Sequence, residues 1–384
     1  MARFIAYLIT CWGVILALTA GVGVVPAAVA GAIALYATLP VLAFLRWRRW
    51  PFYPTAAFRL LVVRPALYIQ LLLPFVAAAG VLGALAGAPF AHPLRGGQIG
   101  ALGILIAGSV LLVTGYLGTR RLVVRHVDAE VPGLPVEFDG LRIAQLSDLH
   151  VGPQTPRVFL RRVVDATNAL GADLIAVTGD LVDDRSEDVT AYIAGLGALR
   201  APLGVFMIPG NHDIMAGWDA VHRGLRAARI GKVLVNGVHI LRRGTASLAL
   251  IGTGDPAAWG RGPAAAVPDI AKALRAVPRD VTVVALAHNP SLWPSLVERG
   301  VAVTLSGHTH WGQFAVPHLD WSLASMFLER AMGAHRADSS LLYINPGIGY
   351  WGIPFRIGAS PEITLVTLRR ADVAAAHVHR ARAA

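Results

Sequence analysis

The sequence predicts a chain in two unlike parts: apolar helices long enough to cross a membrane, then an α/β domain. Three observations predict it. Residues 1–118 contain no Asp or Glu. Beyond them, apolar runs at 141–147, 173–178, 203–208, 281–287 and 301–306 each stop at polar residues, as buried strands do. Segments with helical apolar spacing, 157–170 and 218–229, lie between those runs. Charged residues make up only 15% of the 384 and hydrophobic ones 55%. That balance excludes a disordered chain. It also argues against a single soluble globule, since ordinary soluble domains are about 25% charged. A single Cys excludes a disulfide framework and any Cys-based zinc or iron–sulfur site. That residue, Cys11, lies in an apolar run and reads as a buried, inert thiol.

Residues 1–118 read as a membrane domain of about four helices. The stretch 4–45 is uncharged and long enough for two spans, at about 20 residues each, turning near Gly21–Pro26. A third span fits 60–88 and a fourth 99–118. The loop from Arg46 to Arg59 is basic, and so is the segment after the fourth span, with Arg120, Arg121 and Arg125. Cytoplasmic loops are enriched in Lys and Arg, so both termini, and the domain after the spans, read as cytoplasmic. Trp47 and Trp50 suit the headgroup level. The net charge of +11 is then mostly a topology signal, because residues 119–384 carry only +4. No nucleic-acid partner is expected, since phosphate contacts would want the basic residues clustered on the soluble part.

Residues 119–140 read as a connecting segment, 141–372 as the catalytic domain and 373–384 as a tail. A second group of strand-like runs lies at 232–241, 246–252, 340–345 and 362–368. Residues 256–268, rich in Ala, Gly and Pro, read as a surface loop. The stretch 314–332, with Trp321, Leu323, Met326, Phe327 and Leu328, reads either as a cover for the site that touches acyl chains or as a core helix.

The chemistry sits where the strands end. The five runs finish in Asp148-Leu149-His150, Gly179-Asp180-Leu181-Val182-Asp183, Gly210-Asn211-His212-Asp213, His288-Asn289 and Gly307-His308-Thr309-His310. Sites in open α/β sheets form beyond the carboxyl ends of strands. Carboxylates, imidazoles and an amide without thiolates suit Mn, Fe or Zn. The number of such groups exceeds what one ion needs, and two ions sharing a carboxylate would use them all. The other histidines, His92, His222, His239, His318, His335, His377 and His379, read as surface or core residues.

This motif series resembles that of the calcineurin-like metallophosphoesterases, over residues 140–370. The ending Asn345-Pro346-Gly347 … Pro354-Phe355-Arg356 … Pro361-Glu362-Ile363 is similar to that of the membrane-associated bacterial branch. The resemblance implies a four-layer α/β/β/α sandwich and two divalent metal ions. It implies that Asp148, His150 and His310 bind the first metal, and that Asn211, His288 and His308 bind the second. Asp180 would bridge the two. His212 would contact the phosphate and protonate the leaving group, with Asp213 orienting its imidazole. Asp183 is either an acceptor behind a ligand histidine or a turn residue. Two departures stand out: Trp311 stands where the branch often has Gly, and Gly254-Asp255-Pro256 replaces a more acidic pair.

The implied reaction is hydrolysis of a phosphodiester or pyrophosphate by a metal-bridging hydroxide. A membrane anchor favours a lipid-linked substrate, and the branch resembles membrane-attached hydrolases of UDP-diacylglucosamine. The alternatives are a nuclease or cyclic-nucleotide phosphodiesterase of the same superfamily, or a non-catalytic membrane sensor with a phosphatase-like domain. Against the sensor, no ligand position is missing.

Overall fold

The computed structural model describes residues 2–47, 55–260 and 262–371. Residues 48–54, with Arg48, Arg49 and Trp50 of the expected basic loop, and the expected tail 373–384 lie outside the described residues. The chain divides into two units, 1–115 and 116–384.

The first unit is helical, with helices Ala2–Ala20, Val24–Trp47 and Arg64–Gly87, and most of Pro93–Gly118. The chain turns at Gly21–Gly23, and Pro26 falls in the first turn of the second helix, where its missing N–H costs nothing. Glycines let two helices approach closely: a Cβ at Gly83 would stand 2.2 Å from the carbonyl of Gly96. Three helical stretches, Val24–Ala43, Arg59–Phe90 and Pro93–Gly118, are long and apolar enough to cross a membrane; Phe4–Ala20 is apolar but shorter.

The second unit contains strands β1 (Val123–Pro132), β2 (Arg142–Leu146), β3 (Leu174–Val177), β4 (Val205–Met207), β5 (Lys232–Val233), β6 (Gly237–Arg243), β7 (Ala246–Gly252), β8 (Thr282–Leu286), β9 (Val303–Ser306), β10 (Ala315–Val316), β11 (Trp321–Ser322), β12 (Gly333–Ala337), β13 (Ser340–Ile344) and β14 (Glu362–Ala371). One sheet runs β1-β14-β2-β3-β4-β5, the other β12-β13-β9-β8-β7-β6, and β10-β11 is a small hairpin. Alternation along the strands sorts the side chains. Ile143, Leu174 and Phe206 from the first sheet meet Leu248, Leu250, Val284 and Leu305 from the second in one core between the sheets. Ala144, Ile175 and Met207 face the other way, against Leu160 and Val164 of helix Arg157–Ala169 and Leu225 of helix Trp218–Ala228. On the far side, Ala249, Ile251 and Ala285 pack under Ile270, Ala273 and Leu296. The result is the four-layer α/β/β/α sandwich.

Three expectations need correction. The run 232–241 is two strands in different sheets: the chain crosses between sheets at Leu234–Asn236, with Asn236 at a φ of 49°. Residues 119–140 hold β1, paired in parallel with β14 over ten residues, Val123 opposite Glu362 and Pro132 opposite Ala371. The stretch 314–332 is not a core helix. It is a string of short turns and the β10–β11 hairpin, with Leu319, Met326 and Phe327 exposed.

Candidate metal centre

Strands β2, β3 and β4 are parallel neighbours in one sheet, as are β8 and β9 in the other. Their carboxyl ends carry the five clusters, and the loops meet across the sheets. Five of the seven expected ligands sit at positive φ: Asp148 at 49°, His150 at 43°, Asp180 at 51°, His308 at 73° and His310 at 51°. Non-glycine residues pay for that conformation, and such strain gathers at functional sites. Trp311 is also left-handed, at φ 52°, which explains why Gly suits that place; here the ring is buried and donates its Nε1–H to the carbonyl of Ile344.

The glycines beside the ligands serve by lacking bulk. A Cβ at Gly307 would stand 2.0 Å from Ser147 Oγ and 2.1 Å from Asp148 Oδ2; one at Gly210 would stand 2.2 Å from Asp180 Oδ1.

All seven expected ligands come together. His310 Nε2 lies 3.0 Å from His150 Nε2 and 3.4 Å from Asp148 Oδ1. Asn211 Oδ1 lies 2.7 Å from His308 Nδ1 and 3.1 Å from His288 Nε2. Asp180 Oδ2 stands between the two sets, 3.6 Å from His150 Nε2 and 3.3 Å from His288 Nε2. Asp148–His150–His310, Asp148–Asp180–His288 and His150–Asp180–His212 each offer ligand atoms within one ion's reach.

The electrostatics suit cations. Burial works against the charge of Asp180, but His288, His150 and His212 outweigh it and hold the carboxyl far below its usual range. His308 is lowered to about 4 and His310 well below its ordinary value, by burial first and then by neighbouring histidines. Both are neutral at pH 7, with lone pairs available. His150 and His288 are raised: burial opposes their charge, and the surrounding aspartates overcome it. His288 donates from Nδ1 to the carbonyl of Thr178, which turns Nε2 toward the site. Acceptors converging this closely in a buried space are what divalent cations resolve, so the donor set fits a metal pair.

His212 stands where expected, its backbone N–H donating to Asp180 Oδ1 at 2.8 Å. The expectation for Asp213 fails. Its fully buried carboxylate accepts from the amides of Leu181, Val182 and Gly210 at 3.0, 3.1 and 2.9 Å. Burial, and then Asp180, push it up to about 7 despite those donors. The imidazole of His212 is held instead by the main chain: Nδ1 pairs with the carbonyl of Asp183. The Asp183 carboxylate lies 3.5 Å from His150 Nδ1, an ion-pair contact behind a ligand histidine rather than a formed hydrogen bond.

Sequence reasoning missed two supports. Gln145, buried between the sheets, donates to Thr178 Oγ1 at 3.1 Å and to the carbonyl of Ser306 at 2.8 Å, joining two ligand-bearing strands. Arg356, among the largest fully buried side chains, donates to the carbonyls of Pro346, Gly349 and Ala359 and lies 3.1 Å from His310 Nδ1. It ties the loop between β13 and β14 to the first ligand set. The only sequence signal was its place in the family-like ending.

A double carboxylate–imidazole cluster at the carboxyl ends of two packed sheets defines a metallophosphoesterase centre. The calcineurin-like phosphoesterase family matches residues 141–312. An uncharacterized metallophosphoesterase of Bacillus subtilis, YkuE, is 31% identical over 71% of this chain and 95% of its own length. The chain belongs to the calcineurin-like metallophosphoesterases, a family of metal-dependent phosphoester hydrolases that generally use two divalent metals. A zebrafish transmembrane protein with metallophosphoesterase domain is 31% identical over 70% of this chain; the chain spans 62% of that relative's length. The UDP-2,3-diacylglucosamine pyrophosphatase LpxG of Chlamydia trachomatis is 26% identical over 70% of this chain and 97% of its own. With the apolar helices, the transmembrane relative supports a membrane location.

Proposed function

We propose that the chain is a membrane-anchored phosphoesterase that holds two divalent ions and hydrolyses a phosphodiester or pyrophosphate. The observation that carries this reading is Asp180 Oδ2, within 3.6 Å of an imidazole from each ligand set. Asp148, His150, His310 and Asp180 form one set; Asp180, Asn211, His288 and His308 form the other. Mn, Fe or Zn in both would supply Lewis acidity toward phosphoryl oxygens and acidify water. The protein supplies the rest. Asp180 fixes the spacing of the two sets. Asp183 and the Thr178 carbonyl orient His150 and His288. The Asp183 carbonyl holds His212 Nδ1, leaving Nε2 to deliver a proton to the leaving group.

A lipid-linked or nucleotide-linked phosphate fits the apolar N-terminal helices and the activity in the name of the chlamydial relative. The basic segment after the last helix supports a cytoplasmic catalytic domain and a multi-pass anchor. The test is Asp180→Asn in the detergent-solubilised, Mn-loaded protein. A folded variant with lost activity and reduced bound metal is expected. Two metals per chain with near-normal turnover would overturn the bridging role. Wild-type assays on a chromogenic diester, UDP-diacylglucosamine and cyclic nucleotides then sort the substrate.

A further inference from the structure

On two segments beside the metal centre, large apolar side chains stand exposed among the described residues: Leu319 is 68% exposed, Met326 63%, Phe327 79% and Trp351 59%, with Trp321 and Leu328 partly exposed. The stretch Trp321–Leu328 contains no charged residue. Both segments that bear the group are rooted in the site. Gly312, two residues from His310, packs so closely on Leu323 and Ala324 that a Cβ there would stand 2.5 Å from the Ala324 amide. Gln313 exchanges hydrogen bonds with the backbone of Trp351, at 3.1 and 2.8 Å. A soluble surface does not usually leave so many bulky apolar groups together in water; such patches mark a binding face.

We propose that this crown rests in the interfacial layer of a lipid bilayer, so that the metal centre opens toward the membrane surface. Three features favour a bilayer over another occupant. Among the described residues the same chain carries three helical stretches of membrane-crossing length and composition. The last ends at Gly118 and β1 opens at Val123, so residues 119–122 alone connect them, and Arg120 and Arg121 within that stretch suit the headgroup level. The register then fixes where the chain enters the domain. Val123 pairs with Glu362 in β14, and Thr364 of β14 pairs with Gln145 near the carboxyl end of β2. The connection thus enters at the end of the sheet that bears the ligands. Tryptophan and phenylalanine in an uncharged segment are the residues that settle at a bilayer interface.

The test uses the full chain in phosphatidylcholine–phosphatidylglycerol liposomes, in a Cys11→Ser background. A polarity-sensitive thiol dye is placed at Phe327→Cys or Met326→Cys. The control is Val136→Cys, 64% exposed just beyond the opposite end of β1. Emission at 326 and 327 should shift to the blue and be quenched by doxyl-labelled lipids several-fold more than at 136. Equal exposure to water at all three positions would overturn the proposal. Shielding that ignores the doxyl lipids but grows with protein density would also overturn it, in favour of a second copy of this chain. The readout needs no turnover, so it stands or falls apart from the phosphoesterase reading.

Discussion

Because the Asp183 carbonyl holds His212 at Nδ1, only Nε2 of that imidazole is free to meet a leaving group. General acids contribute typically 10²–10⁴-fold, so His212→Asn should lower turnover by about that factor with both metals retained. The loss should shrink for a nitrophenolate, which departs without a proton. Loss of a metal would instead make His212 a ligand, which its place near His150 and Asp180 allows. Asp213→Asn should behave differently, although it is the next residue. A buried hydrogen bond contributes about 0.5–1.5 kcal/mol, more where its acceptor is charged, and an amide cannot accept from all three donors that Asp213 serves. Calorimetry should show a folded but less stable protein, with no dependence of its activity on the leaving group. The pKa directions yield a third expectation. In the metal-free site His150 and His288 are raised and so hold protons near neutrality, while ligation needs them neutral. Metal affinity should therefore keep rising with pH above about 6.5, the ordinary histidine value, with proton release. Titration calorimetry in buffers of different ionisation enthalpy checks this; a pH-independent Kd would contradict it. At this scale the ligands were legible because each follows an apolar run directly. Arg356 was not, because nothing local distinguishes a buried arginine from a surface one.

The loop after β9 shows how an element serves the site through what it omits. Gly307 leaves room for the Asp148 carboxylate and the Ser147 hydroxyl, and His308 follows with its amide 3.1 Å from both oxygens of Asp148. Gly307→Ala should displace Asp148 and weaken the first metal set while the two sheets persist. Metal analysis beside far-ultraviolet circular dichroism would show it, and unchanged metal content would refute it. Elements buried on both faces announced themselves as apolar runs, which is why β2, β3, β4, β8 and β9 were legible with their loops. The edge strand β1 was not. Its sequence carries Arg125, His126, Asp128 and Glu130 outward and buries mainly Ala129 and Val131, so it reads as a linker. The turns of 314–332 escaped for the opposite reason: apolar composition suggests burial, and there it is exposed.

For the whole molecule, the boundary of the apolar helical unit follows from the charge distribution, and the α/β character of the rest from its apolar runs and helical spacing. The four-layer arrangement required the motif series, since strand order is set by pairings between distant segments. The topology remains to be measured. On the proposed orientation, with both termini cytoplasmic, a reporter fused after Ala384 that needs an oxidising compartment should be silent and a cytoplasmic one bright; the reverse would move the domain, and its substrate pool, across the membrane. The position of β14 carries a last consequence. It lies between β1 and β2, yet it is the final strand of the sheet to be synthesised. While the ribosome is still translating, β1 has been made directly after the last apolar helix with no sheet neighbour, and β2 keeps an open edge. The sheet closes only when residues 362–371 emerge and slide between strands made far earlier. A nascent chain stalled before β14 would therefore present two unpaired edges at once, the state in which a chaperone would find it.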